Sequence, residues 1–284
     1  MALANFLSEV WSKKLQKIFN KTVVMANLVN RDYEGEIKKA GDTVHVRTFG
    51  SVTINDYTRD MVIQFETLTD PMSDLVIDQQ KYFAFKVDDL DKAQSDINIL
   101  EGYAREAAIA IRDVVDTRLL SHYADVHADN DIGTSGSPIS LSVSNIYQYI
   151  VELGEKLDNS DCPVDGRNLV IPPSIKTLLL QSSQFVRATN LGDNVVQNGK
   201  IGNVAGFDVH VSTNVPTVST NKPILGFTKD FISFASQVEK IEHVRPTNMF
   251  ADAVKGLYLY GSKVFTNTSS DKGANRCGAV LWAD

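Results

Sequence analysis

From Ile97 to Leu119 apolar residues return every three or four positions, at Ile97, Leu100, Ala104, Ala107, Ala108, Ile111, Val114, Val115 and Leu119. That is the period of an α-helix with one apolar face, and it predicts a single long helix over 91–127. Asp91 followed by Gln94 has the spacing of a capping box, and Glu101/Arg105 and Arg112/Asp116 form i,i+4 pairs expected on the wet side. At 1.5 Å per residue the helix spans roughly 50 Å, a strut around which the remaining chain must be arranged. Gly102 costs about 1 kcal/mol relative to alanine without ending it.

Upstream of the strut the period changes from helical to alternating. Residues 43–49 alternate, and Met61-Val62-Ile63-Gln64-Phe65 and Leu75-Val76-Ile77 are rich in β-branched and aromatic side chains, so 42–87 reads as strands and hairpins. Between 42 and 80 seven carboxylates stand against two cations, a net charge of −5. Residues 5–19 place Phe6, Leu7, Val10, Trp11, Leu15, Ile18 and Phe19 at helical spacing, with Lys13, Lys14 and Lys17 on the remaining surface. Residues 1–41 hold seven cations and four carboxylates, a net charge of +3.

Downstream, the run from Asp129 to Pro138 is dense in Asp, Asn, Gly and Ser and marks a boundary. A second lobe follows: a helix from Val143 to Leu157, a buried strand at Leu169-Val170-Ile171, and a helix opened by Pro172-Pro173 and running through Leu180. Beyond Asn190 glycines punctuate short strands, with later strands at 232–234, 240–244 and 256–265 and an apolar end at Leu281-Trp282. The fold class is therefore α+β, with a mixed sheet in the second lobe.

The chain offers little local chemistry. A net charge of −7 disfavours broad phosphate binding, and no apolar stretch reaches the length of a membrane span. Cys162 and Cys277, 115 positions apart and without CxxC or Cys/His spacing, imply neither a zinc site nor a disulfide framework, which fits a reducing compartment. His122 and His127, with Asp125, Asp129 and Asp131 nearby, invite a metal reading, but an offset of five points the two rings to different helix faces. His45 and His210 fall in predicted strands as satisfied or exposed imidazoles. The segment 158–166 lacks the spacing of a calcium loop and reads as a solvated turn; Gly199, Gly202 and Gly206 match no phosphate-cradling loop and serve turns. Gly133-Thr134-Ser135-Gly136-Ser137 departs from GxSxG. No catalytic, cofactor-binding or metal-binding residue is assigned, and the chain is read as not an enzyme.

The order of these parts resembles the major capsid proteins of tailed double-stranded DNA phages, which share the Hong Kong 97-type capsid fold. Local echoes are Gly41-Asp42-Thr43-Val44-His45-Val46, the run from Gln79 to Asp89, Asn203-Val204-Ala205-Gly206-Phe207-Asp208-Val209 with Ser212 and Pro216, and Tyr260-Gly261-Ser262-Lys263-Val264. The resemblance implies an N-terminal arm (1–41), an extended β-hairpin loop (42–86), a peripheral domain with the spine helix (87–140 and 235–284) and an axial domain (141–234). It implies self-assembly as hexamers and pentamers into an icosahedral head shell around packaged DNA. The expected partners are other copies of the chain, a separate scaffolding protein, a portal protein and a decoration protein, with no sequence-specific nucleic-acid binding and no membrane. Assembly is expected in the host cytoplasm, and the mature protein in the virion.

Asp56, Tyr57, Arg59 and Asp60 near the loop tip, and Lys13, Lys14 and Lys17 on the arm, are the candidate intersubunit contacts, since opposite charges steer docking and register. Residues 42–80 contain no Lys, so the isopeptide cross-link that some family members make from this loop is not expected. Two rival readings are an encapsulin-like nanocompartment around a cargo enzyme and an enzyme whose site is assembled only in three dimensions.

Overall fold

The computed structural model describes residues 25–33, 43–47, 54–57, 59, 61–63, 65, 67, 72–88, 99–182, 202–245, 251–264 and 277–284. The amphipathic segment 5–19 with Lys13, Lys14 and Lys17, together with Asp60, Asp91 and Gln94, lies outside them.

The long helix, α1, runs Ile99–Leu120 and then tightens into a 3-10 turn, Ser121–Asp125. It stops short of the expected 127 because Val126 turns extended, with φ −68° and ψ 141°, and a second 3-10 turn, Ala128–Asn130, follows. Ala108, Ile111, Val115 and Leu119 form its buried stripe. They pack with Phe227, Phe231, Phe234, Tyr258 and Tyr260 in one core and with Met25, Ala26 and Val29 from the N-terminal segment.

One expectation on this helix is corrected. Arg112 does not reach Asp116; it bonds its neighbour Asp113 through Nε (2.9 Å) and Nη2 (2.6 Å). Asp116 is 2% exposed, and its Oδ1 accepts a hydrogen bond from the Met25 backbone N–H at 3.3 Å. It sits beside the apolar stripe where the N-terminal segment covers the helix, so its i,i+4 spacing to Arg112 does not bring it to water.

Among the described residues the strands form three sheets. Strands β1 (Thr43–Arg47) and β2 (Met72–Val76) form an antiparallel pair in the register Val44 opposite Leu75. Strands β3 (Gln79–Asp88), β9 (Ser233–Val244) and β10 (Ala251–Lys263) form an antiparallel sheet in the order β3-β10-β9. The third sheet has six strands in the order β4-β11-β8-β5-β7-β6. Its members are β4 (Asp131–Ile132), β5 (Arg167–Ile171), β6 (Asn203–Val204), β7 (Phe207–Val211), β8 (Lys222–Thr228) and β11 (Gly278–Ala283). It is mixed: β5/β7 and β4/β11 run parallel and the remaining pairs antiparallel.

Helix α2 (Ile146–Asp158) seats Ile146, Ile150, Leu153 and Leu157 in the core of this sheet, one turn apart as its period requires. Helix α3 (Pro173–Gln181) begins with Pro173 in its first turn, where a missing N–H is harmless, and carries the parallel crossover from β5 toward β7. Ala205 and Gly206, at φ 49° and 86°, turn β6 into β7, so this glycine serves a turn as expected. Two findings depart from the sequence reading. The 129–138 run contributes β4, and β8 forms although Pro223 and Gly226 argue against a strand there.

Candidate assembly surfaces

The β1/β2 stem is rooted by burial. Val44, Leu75 and Ile77 pack with Ala235 and Leu259 in a small core of their own. Lys263 Nζ donates to the Asp74 carbonyl at 2.9 Å, and Gly261 lets β10 come so close that an added Cβ would lie 2.3 Å from the Val76 carbonyl oxygen. On the wet face of the stem His45 Nδ1 and Asp74 Oδ1 are 2.6 Å apart.

Beyond the stem the chain leaves its own core. Of the fourteen large apolar side chains exposed among the described residues, six lie between 54 and 65: Ile54, Tyr57, Met61, Val62, Ile63 and Phe65. Ile54 is 94% and Phe65 95% exposed. Residues 61–63 and 65 form no strand, a correction to the reading of 61–65 as strand from its β-branched and aromatic content, and they pair with none of the described strands. Asp56, Tyr57 and Arg59 are exposed in this stretch. That reading named the charges and only one of the apolar residues. The signal it passed over was the density of apolar residues among those charges.

A second open surface lies on the three-stranded sheet. Tyr82, Ala84, Glu242, Lys255, Gly256 and Leu257 line a predominantly apolar cleft of 470 Å³. Lys255 Nζ and Glu242 Oε2 pair across β10/β9 at 2.6 Å, and Tyr82 is 81% exposed. Phe85 reaches Tyr103 of α1, with ring centroids 5.6 Å apart.

The histidine–aspartate group at the end of α1 resolves into two separate arrangements. His122, 5% exposed, sits with Nδ1 2.6 Å from Asp125 Oδ2 and Nε2 2.8 Å from Ser262 Oγ on β10. Burial holds its pKa below the ordinary value, against the pull of Asp125, which favours a neutral ring donating from Nδ1 and accepting from Ser262. His127 instead accepts from the Asp129 N–H through Nδ1 and caps the next turn. The two rings are thus separately engaged. Ser262–His122–Asp125 follows the bond order of a catalytic triad, but such a site also needs oxyanion donors and a substrate cleft, and the cleft above is lined by none of the three. His210 Nε2 lies 3.3 Å from Asn168 Oδ1, a satisfied strand imidazole.

The 158–166 turn is built around a cation from the protein itself. Arg167, 4% exposed, donates to the carbonyls of Gly154, Cys162 and Pro163 and, at 2.7 Å, to Asp158 Oδ1. Apart from Ser160 and the buried Cys162 the turn is exposed, as a solvated turn requires, and Arg167 ties it down from beneath.

The comparisons agree with this architecture. The family model of the phage capsid protein matches residues 73–270. A chain of Mycobacterium phage Che8 is 27% identical at a TM-score of 0.70, covering 92% of this chain and 91% of that one. The capsid of cyanophage P-SCSP1u is 15% identical at 0.73, covering 92% and 88%. A virus-like particle from Pyrococcus furiosus is 11% identical at 0.58, covering 97% and 99%. No curated protein matches the sequence. The family model takes in β2, β3, α1, the second lobe and β10, well over half of the sequence, and the chain belongs to the phage capsid protein family as a capsid shell protein of the Hong Kong 97 type.

Proposed function

We propose that the chain is a major capsid protein whose hexamers and pentamers close an icosahedral head around packaged double-stranded DNA, assembled in the host cytoplasm. The observation that carries the assembly step is the excursion beyond β1 and β2, whose described apolar side chains, Ile54 and Phe65 above all, stand exposed. A neighbouring copy covers them, and Asp56, Tyr57, Arg59 and Asp60, with Lys13, Lys14 and Lys17 of the arm, set the register by charge. We divide the chain into arm (1–41), extended loop (42–86), peripheral domain (87–140 and 235–284) and axial domain (141–234), with β11 lending its edge to the axial sheet. A separate scaffolding protein, a portal protein and a decoration protein are the proposed partners. We read the role as non-enzymatic, with Ser262–His122–Asp125 fastening the end of α1 to β10.

Electron microscopy of the purified protein tests the reading. Closed shells or capsomers are expected from the wild type, and a persistent monomer at high concentration overturns it. Asp56→Lys with Asp60→Lys should impair shells while leaving the subunit folded; normal shells from that variant remove the charge contact. Nucleic acid inside the particles fits a head, whereas protein cargo inside favours a nanocompartment, the reading to which the likeness with the Pyrococcus furiosus particle belongs.

A further inference from the structure

The fold brings together two side chains that the sequence separates by 115 positions: Cys162 and Cys277 have their sulfurs 2.8 Å apart, with no disulfide between them. Their spacing in the sequence gives no sign of this approach. Cys162 lies in the turn after α2, 5% exposed, and Cys277, partly exposed, directly precedes β11. Cys277 packs against both the α1 core and the α2 core. A disulfide bond is roughly 2.05 Å long, so a small approach of the two sulfurs closes it.

We propose that Cys162 and Cys277 are a built-in oxidation site, at which a small-molecule disulfide converts the thiol pair into an intramolecular cross-link. The chemistry divides between the two sulfurs. The Cys162 S–H donates to the Cys277 sulfur, which lowers the Cys277 pKa to about 7 and pushes that of Cys162 up, so a single proton is held between them. The buried Arg167 guanidinium, 2.9 Å from the Cys162 carbonyl, favours the thiolate further. Cys277 is the more exposed residue and the better thiolate, so it is the one to attack. With glutathione disulfide as oxidant, the Cys277 thiolate forms a mixed disulfide and expels one glutathione thiolate. Cys162 then loses its proton and attacks the Cys277 sulfur, expelling the second. Two protein thiols are oxidised and one glutathione disulfide is reduced to two glutathiones.

The cross-link joins the α2 turn to the edge of β11 and does not depend on the shell reading. In a capsid it would form after release from the reducing cell interior, where an oxidising medium favours it. The test incubates the purified full-length protein with glutathione disulfide, alkylates the remaining thiols, and reads the intact mass and the cross-linked peptide. A mass lower by two hydrogens, a Cys162–Cys277 peptide, and a Tm raised by roughly 5–10 °C and reversed by dithiothreitol are expected. In Cys162→Ser a stable glutathione adduct should collect on Cys277, and in Cys277→Ser modification of Cys162 should be at least about 10-fold slower. Should a serine variant fail to fold, alkylating the wild type before oxidant at a series of times gives the same order of reactivity. Two adducts on the wild type, cross-links between chains, or two alkylated thiols after oxidation overturn the proposal.

Discussion

In the six-stranded sheet β5 and β11 are buried along their whole length and α2 covers their apolar side chains, whereas the excursion above β1 and β2 leaves Ile54 and Phe65 almost fully in water. Both regions are apolar in sequence. The difference is cover: the six-stranded sheet has a helix against it, and so two layers and an inside, whereas the described residues of the excursion have no such layer over them. One part of the subunit is complete by itself, and the other, under the proposed reading, is covered by a neighbour. Substitutions in the first should act on the folding of the single chain, and substitutions in the second on its association.

The largest effect on the subunit is expected from Phe207→Ala. Phe207 is 0% exposed at the start of β7, with its ring against the positions of Gly154 and Gly226. Truncation leaves a cavity that two packed glycines cannot fill, and about 3–5 kcal/mol should be lost. Urea unfolding of the unassembled subunit measures it; a loss below about 1 kcal/mol would mean that the six-stranded region is no better packed than the excursion.

A smaller effect, of opposite sign, sharpens the comparison by asking whether the packed part is at its optimum. Burial raises the pKa of Asp116 to about 6, more than the hydrogen bond from Met25 and the charge of Arg112 lower it. The folded carboxyl keeps its proton to about pH 6, while the unfolded one loses it near 3.8, so the folded state binds more protons in between. Stability from this group is full below about pH 4 and is lost as pH rises through 6. At 1.36 kcal/mol per unit the loss is about 3 kcal/mol at pH 7. Asp116→Asn keeps an acceptor for the Met25 N–H and removes the charge, so it should stabilise the subunit by about 2–3 kcal/mol at pH 7–8 and flatten the pH 4–6 slope. Unfolding midpoints across that range check it, and equal midpoints for both proteins at pH 8 would place Asp116 in contact with water.

Much of this division was legible in the sequence. The helical period marked α1 and α2, and alternation marked β1. Helix α3 announced itself through its opening prolines. What escaped were features decided by tertiary neighbours. Asp116 has the spacing of a surface ion pair and is buried because Met25, 91 residues away, lies over it. Strand β8 carries Pro223 and Gly226, and membership in the middle of a sheet outweighs both. Ser262 and Cys277 reach His122 and Cys162 across 140 and 115 positions, and no local pattern encodes such meetings. At the assembly surface the charges of the tip were found by counting. The apolar residues beside them were read as a strand, because β-branched and aromatic content looks the same whether its cover lies in the same chain or in the next one.

That last ambiguity gives the smallest effect on the subunit. Ile54→Ser with Phe65→Ser changes two side chains that are 94% and 95% exposed, so the stability of the isolated chain should shift by no more than about 0.5 kcal/mol. If a neighbouring copy covers the same side chains in the shell, as proposed, burying each contributes roughly 1.5–3 kcal/mol. Losing both should weaken each loop contact by at least about 3 kcal/mol, a factor of more than about 100 in the association constant. Urea unfolding and light scattering on the same samples separate the two quantities. If the subunit loses several kcal/mol, the excursion is packed within its own chain and the comparison fails. If neither quantity moves, these residues face water in the shell as well, and the neighbour is held by the charges alone.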